Sequence, residues 1–192
     1  KAEFAANISH ELRNPLTLLK AYVDLLQEGE MGKLNQKQAQ AVSIIQSKIT
    51  SMSRILDDIV AHAKELSPYE CCGFLAGTDR TVSRVYRIKN VVGLEGATDA
   101  ASFDEAKMAH LSRLSPEERA EIAFIMDARE MFQAVKDMRK NNLTLQVVYH
   151  SHPHDPARPS VTDIKIATEW EENWGRLNLA LPIYMLISLM DV

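Results

Sequence analysis

The chain has 192 residues, 46% hydrophobic and 25% charged, with a formal net charge of −4. That composition excludes wholesale disorder, and the mild acidity lacks the basic footprint of a nucleic-acid binder. No apolar run approaches membrane-spanning length and no secretory signal is visible. The only cysteines, Cys71 and Cys72, are adjacent, so no disulfide framework closes a loop and a cytoplasmic setting is expected.

Residues 1–66 hold eight acidic and eight basic residues, so the net acidity belongs to the remainder, with eighteen and fourteen. Apolar residues recur at Ala5, Ile8, Leu12, Leu19, Tyr22 and Leu26, with Pro15 in the slot between Leu12 and Leu19. This 3–4 spacing is the seam of a coiled coil or helical bundle. "EGEMGKLNQ" (28–36) interrupts it, and the seam resumes at Val42, Ile45, Ile49, Met52, Leu56, Ile59, Ala63 and Leu66. The pattern predicts two antiparallel helices, the second continuous through 40–66. A hairpin with one apolar stripe per helix must dimerise or dock to finish its core, as in a dimeric four-helix bundle.

After Ser67-Pro68 the texture changes. "CGFLAG" (72–77) and "TVSRVYRIKNVV" (81–92) read as strands. "SPEERAEIAF" opens with Ser115 as N-cap, Pro116 at the first helical position and Glu118 closing a capping box. A second helix is capped by Asp127. "LTLQVVYHSH" (143–152) is a strand, "SVTDIKIATEWEENW" (160–174) a helix and "LPIYMLISLM" (181–190) a buried strand. The order implies an α+β or α/β domain with a mixed sheet flanked by helices.

The sharpest chemical signal is "HSHPHDPARPSVTD" (150–163). On a strand His150 and His152 point the same way and Ser151 the other, so the two imidazoles can share a metal. Asp163, in the first turn of the next helix, can fold back as an oxygen ligand. Two His and one carboxylate leave one tetrahedral position open, the catalytic arrangement for zinc. The string H-S-H-P, six residues, S-x-x-D resembles the JAMM (MPN+) metalloprotease motif, and "SPYECCGFLAG" is similar to that family's upstream element. The resemblance covers roughly residues 59–192. It implies zinc on His150, His152 and Asp163, Glu70 as general base, Ser160 as hydrogen-bond donor to the developing oxyanion, and hydrolysis of an amide or isopeptide bond on a ubiquitin-like or sulfur-carrier protein tail. Ser160 is also an ideal helix N-cap, and His154 reads as a loop residue near the rim. Residues 93–123 exceed what a minimal domain of this kind needs, and are expected either to shape substrate access or to cap the fold.

"FAANISHELRNPLT" (4–17) resembles the H-box of sensor histidine kinases, within their dimerisation and phosphotransfer (DHp) domain. The resemblance implies His10 as phospho-acceptor, Glu11 as assisting acid/base and Asn14 as positioning water for dephosphorylation. Pro15 is expected to kink the helix. "HELRN" is not the zincin motif H-E-x-x-H, because Asn14 stands where the second His is needed. No nucleotide-binding domain follows, so His10 can only be acted on by a missing ATP-binding domain or another protein, with a response-regulator receiver domain as a further partner.

Together these readings give a DHp-like hairpin over 1–58 and a JAMM-like domain over 59–192, joined by one shared helix and dimeric through the hairpin. The chain reads as a fragment at both ends, without the family's C-terminal closing elements. The alternatives are a phosphotransfer module with the JAMM-like part as inactive or regulatory scaffold, and a truncated or engineered fusion.

Overall fold

The computed structural model describes residues 4–5, 8–79, 81–92, 103, 105–176 and 180–190; for 4–5, 8–11 and 173–176 it describes the backbone alone. Strand β1 (Phe4–Ala5) precedes helix α1 (Ile8–Glu28), which continues through Pro15. Gly29 ends α1 with φ +81°, a conformation that a side chain would strain. Helix α2 (Gln36–Leu66) starts at Asn35, whose side chain accepts from Gln38 N while the Gln38 side chain accepts from Asn35 N. The helix then runs 31 residues without interruption, as the seam predicted. Arg13 bonds Asp57 at 3.0 Å and Gln27 bonds Gln46 at 2.9 Å, so α1 and α2 lie antiparallel.

Strands β2 (Cys72–Thr78) and β3 (Thr81–Ile88) form a hairpin. Helices α3 (Glu105–Leu111), α4 (Pro116–Ile122) and α5 (Ala128–Lys140) follow, then β4 (Thr144–His152), α6 (Val161–Arg176) and β5 (Ile183–Ser188). The sheet order is β1-β5-β4-β2-β3, parallel from β1 to β4 and antiparallel from there to β3. This is the expected mixed sheet behind a helical hairpin.

Period-two alternation gives the sheet two buried faces. Leu75, Val147, Tyr149 and Ile187 meet the hairpin in one continuous core with Leu16, Val23, Val42, Ile49, Leu56, Ile59 and Ala63. Cys72, Phe74, Ala76, Val148 and Tyr184 face α5 and α6 through Ala134, Met138 and Ala167. Arg87 on β3 ties the first layer together by bonding Asp58 and Glu65 of α2.

The structure corrects two expectations. Ala5 lies in a strand paired with Met185, not on a helical seam, because the free edge of β5 offers its backbone groups a ladder. The seam of α1 is also displaced: Leu16 and Val23 form the interior, while Leu12, Leu19 and Tyr22 are 39%, 51% and 50% exposed. On α2, Ile45 and Met52 are likewise 48% and 49% exposed. Two helices can bury only the line along which they face each other. Among the described residues, no helix is long and apolar enough to cross a membrane.

Candidate metal centre

β4 lies between β5 and β2, and His150 and His152 end it on the face that carries Val148. Both imidazoles are buried, as is Asp163 in the first turn of α6. Ser160 begins that helix with a reciprocal pair: its Oγ accepts from Asp163 N at 3.1 Å, and its N–H donates to Asp163 Oδ2 at 2.7 Å. The cap turns the carboxylate back toward β4. His150 Nε2 lies 3.2 Å from His152 Nε2 and 3.2 Å from Asp163 Oδ1, and His152 Nε2 lies 3.4 Å from Asp163 Oδ2. One ligand atom from each residue falls within 4.8 Å of the others.

The donor set fits a cation. His152 Nδ1 lies 3.3 Å from the carbonyl oxygen of Pro156, which can only accept, so that nitrogen carries a proton. In the neutral ring Nε2 then turns a lone pair toward another imidazole nitrogen and an anionic oxygen. Burial pushes the His150 pKa down, with Asp163 opposing. Burial also acts to lower that of His152, but the Asp163 hydrogen bond and the nearby carboxylates outweigh it and raise it. For Asp163 burial favours the neutral acid, and the two imidazoles, which donate to it when their facing nitrogens are protonated, reverse this and hold it well below the usual carboxylate range. A positive charge at the centre is the complement of this arrangement.

A cleft of about 130 Å³ is lined by Glu70, His152, Ser160 and Asp163, with His150 buried behind His152 and Asp163. Glu70 is buried, and desolvation pushes its pKa up to about 8, against the pull of His152. Its backbone is pinned on both sides: its N–H donates to Ala120 O at 2.7 Å, and Asn90 Nδ2 donates to its carbonyl at 3.1 Å. The next residue, Cys71, donates its N–H to Ser151 Oγ at 2.8 Å, coupling the Glu70 loop to the strand that carries the imidazoles. Burial raises both thiols, Cys71 to about 12, so neither is a thiolate nucleophile near neutrality.

Several neighbours escaped the sequence reading. The Asn90 side chain also bonds Ala123 O, Val92 N and Ile125 N, making it the hub between Glu70 and the segment before α5. Phe124 stacks on His150 with ring centroids 4.5 Å apart. Lys107, on α3, lines the cleft and donates to Ile122 O at 2.9 Å. Phe103 and Lys107 are cleft walls, so the described part of the 93–123 segment does border the site; residues 93–102 lie outside the described residues. His154 is exposed and 3.9 Å from Glu121, a rim position as read.

The kinase-like residues are elsewhere. His10 and Glu11 fall in the first turn of α1, their side chains outside the described residues, and Asn14 is exposed one turn later. α1 follows edge strand β1, which β5 separates from β4. His10 and the candidate metal centre therefore belong to different elements.

Residues 52–191 match the family of prokaryotic homologs of the JAB domain, and residues 1–65 match the His Kinase A (phospho-acceptor) domain. A probable TtuB-protein conjugate cleaving protease from Thermus thermophilus is 32% identical over 113 residues, 59% of this chain and 59% of that protein. A sensor protein kinase WalK from Staphylococcus aureus is 36% identical over 64 residues, 33% of this chain and 15% of the kinase. The chain thus spans little more than half of the first relative and a small part of the second. A solution structure of a Desulfitobacterium hafniense protein shares 36% identity, covering 58% of this chain and 62% of that one, with a TM-score of 0.40. With its buried His-His-Asp cluster on the sheet face away from the helical hairpin, the chain belongs to the prokaryotic homologs of the JAB domain and carries a His Kinase A (phospho-acceptor) domain ahead of it.

Proposed function

We propose that this chain hydrolyses an amide or isopeptide bond at the tail of a ubiquitin-like or sulfur-carrier protein, with zinc held by His150, His152 and Asp163. The observation that carries the reading is the convergence of three buried donors, two of which line a cleft that a buried glutamate also lines. The similarity to a protein-conjugate cleaving protease supports a protein substrate. When bound, zinc supplies Lewis acidity toward water and a carbonyl oxygen. Glu70, raised to about 8 by burial, would be favoured as the carboxylate by a cation held on the neighbouring donors, and so could accept a proton. Glu70 takes that proton from the attacking water and returns it to the leaving amine nitrogen, closing the balance of a hydrolysis. The Ser160 hydroxyl accepts from Asp163 N, which leaves its own hydrogen to donate to the carbonyl oxygen as charge develops.

The catalytic part corresponds to residues 59–192 and the hairpin to 1–58. The match of 1–65 to a phospho-acceptor domain supports a second role, in which the hairpin dimerises and His10 exchanges a phosphoryl group with a partner kinase domain or receiver, assisted by Glu11 and Asn14.

The test is zinc content together with cleavage of a ubiquitin-like conjugate. Wild type is expected to hold stoichiometric zinc, Asp163→Ala to lose both metal and activity, and Glu70→Gln to keep the metal while losing about 100-fold or more in kcat. Cleavage that survives chelation or Glu70→Gln overturns the hydrolase reading. For the second role, failure of every tested kinase and phosphorylated receiver to label His10 would sink it.

A further inference from the structure

The cleft does not end at the metal donors. Beside it lies a recess of about 230 Å³ lined by Phe103, Phe124, Met126, Met131, Ile166 and Trp170 together with Ile125, none of them charged. Phe103, Phe124 and Ile166 line both spaces, so the recess adjoins the cleft on the side where Phe124 packs on His150. Helix α6 explains the alignment: Asp163, Ile166 and Trp170 stand three and seven residues apart on one stripe, so the helix that supplies the carboxylate also supplies the recess wall.

We propose that this recess is a specificity subsite that receives one large apolar side chain, aromatic or branched aliphatic, of the substrate chain near its scissile bond. The proposal rests on the hydrolytic reading of the adjoining cleft and names what that cleft selects. Size and lining both support it. An apolar cavity of roughly 150 Å³ stays dry and admits a benzene-sized group, and this recess is larger and equally free of charged groups. An apolar group placed in the recess gains dispersion contacts with these side chains while leaving water. A small side chain gains few of them, and a charge would be desolvated without an opposite charge to meet it. Phe103, in the segment expected either to shape substrate access or to cap the fold, lines both the cleft and the recess.

The experiment is calorimetric titration of zinc-loaded full-length Glu70→Gln protein with N-acetyl-X-glycinamides, where X is Phe, Leu, Ala or Asp. The Phe and Leu peptides are expected to bind at least about tenfold more tightly than the Ala and Asp peptides. Ile166→Trp on α6 and, separately, Met131→Phe on α5 enlarge lining residues and should each erase that preference with zinc stoichiometry unchanged. Equal affinity for all four peptides, no saturable binding to any, or a preference that persists in both variants overturns the subsite. A wild-type protein that shows the preference yet cleaves nothing overturns the hydrolytic reading and leaves the subsite standing.

Discussion

His62 sits on the buried side of α2, with its Nδ1 2.9 Å from the Tyr149 hydroxyl, one residue before His150 on β4. Tyr149 lies over Gly73, where an added Cβ would come within 2.6 Å of the hydroxyl, so the absence of a side chain there is what admits the contact. Burial, with the neighbouring Arg87 charge, lowers the His62 pKa from 6.5 to about 4, against Glu65 and Asp58. A histidine kept neutral in the fold contributes stability that is present above its unfolded pKa and lost as pH falls through the folded one. We expect His62→Gln, which keeps an amide for Tyr149 but does not titrate, to cost about 1 kcal/mol near pH 7. That difference from wild type should shrink between pH 6.5 and about 4 in urea unfolding, and a difference constant with pH would contradict it. His150, His152 and Asp163 were legible in the sequence because strand alternation and an N-cap fix their directions locally. Asn90, Phe124 and Lys107 were not, since what makes each matter is a contact with a residue far along the chain.

α2 is where the two family matches overlap, at residues 52–65. It bonds α1 through Gln46 and Asp57 and the sheet through Asp58 and Glu65, and one core cluster runs through both contacts. The helix itself was legible because a 3–4 spacing persists across 25 residues from Val42 to Leu66 and Asn35 supplies the start. Which seam positions face inward was not, because that depends on how many helices share the bundle. Strand β1 was hidden as well: two residues carry no period, and only the edge of β5 makes them a strand. Continuity of α2 has a mechanical consequence. Arg54 is exposed and central in the helix, so Arg54→Pro removes a backbone donor and clashes with the preceding turn without touching the core, at about 3 kcal/mol or more. With one shared core, the penalty should shift a single cooperative unfolding transition to lower urea, while Arg54→Ala stays close to wild type. Two separated transitions in wild type, one for the hairpin and one for the sheet, would show instead that the proposed boundary at residue 58 divides independent folding units.

The exposed stripe on the hairpin sets the behaviour of the whole molecule. Leu12 and Leu19 stand a heptad apart on α1, as do Ile45 and Met52 on α2, and Tyr22 adds an aromatic ring, all between 39% and 51% exposed. Single exposed apolar residues need no explanation, but heptad spacing on two adjacent antiparallel helices is the pattern by which a second pair completes a four-helix bundle. The interior of the single hairpin uses other residues, Leu16, Val23, Val42 and Ile49, so the two surfaces can be separated by mutation. Leu19→Glu should therefore leave the fold and α1–α2 packing intact while placing a charge in the seam between copies. Light scattering on the eluted protein is expected to give twice the chain mass for wild type and one chain mass for Leu19→Glu, with matching circular dichroism. A monomeric wild type would remove the dimer, and would leave the stripe as a face for a different protein. Because β1 pairs with the edge of the sheet just ahead of α1, a dimer built on this stripe fixes the two sheets relative to each other, and Leu19→Glu then also tests whether the proposed cleavage needs both copies: an activity per chain unchanged in the monomer would assign the candidate site to one chain alone.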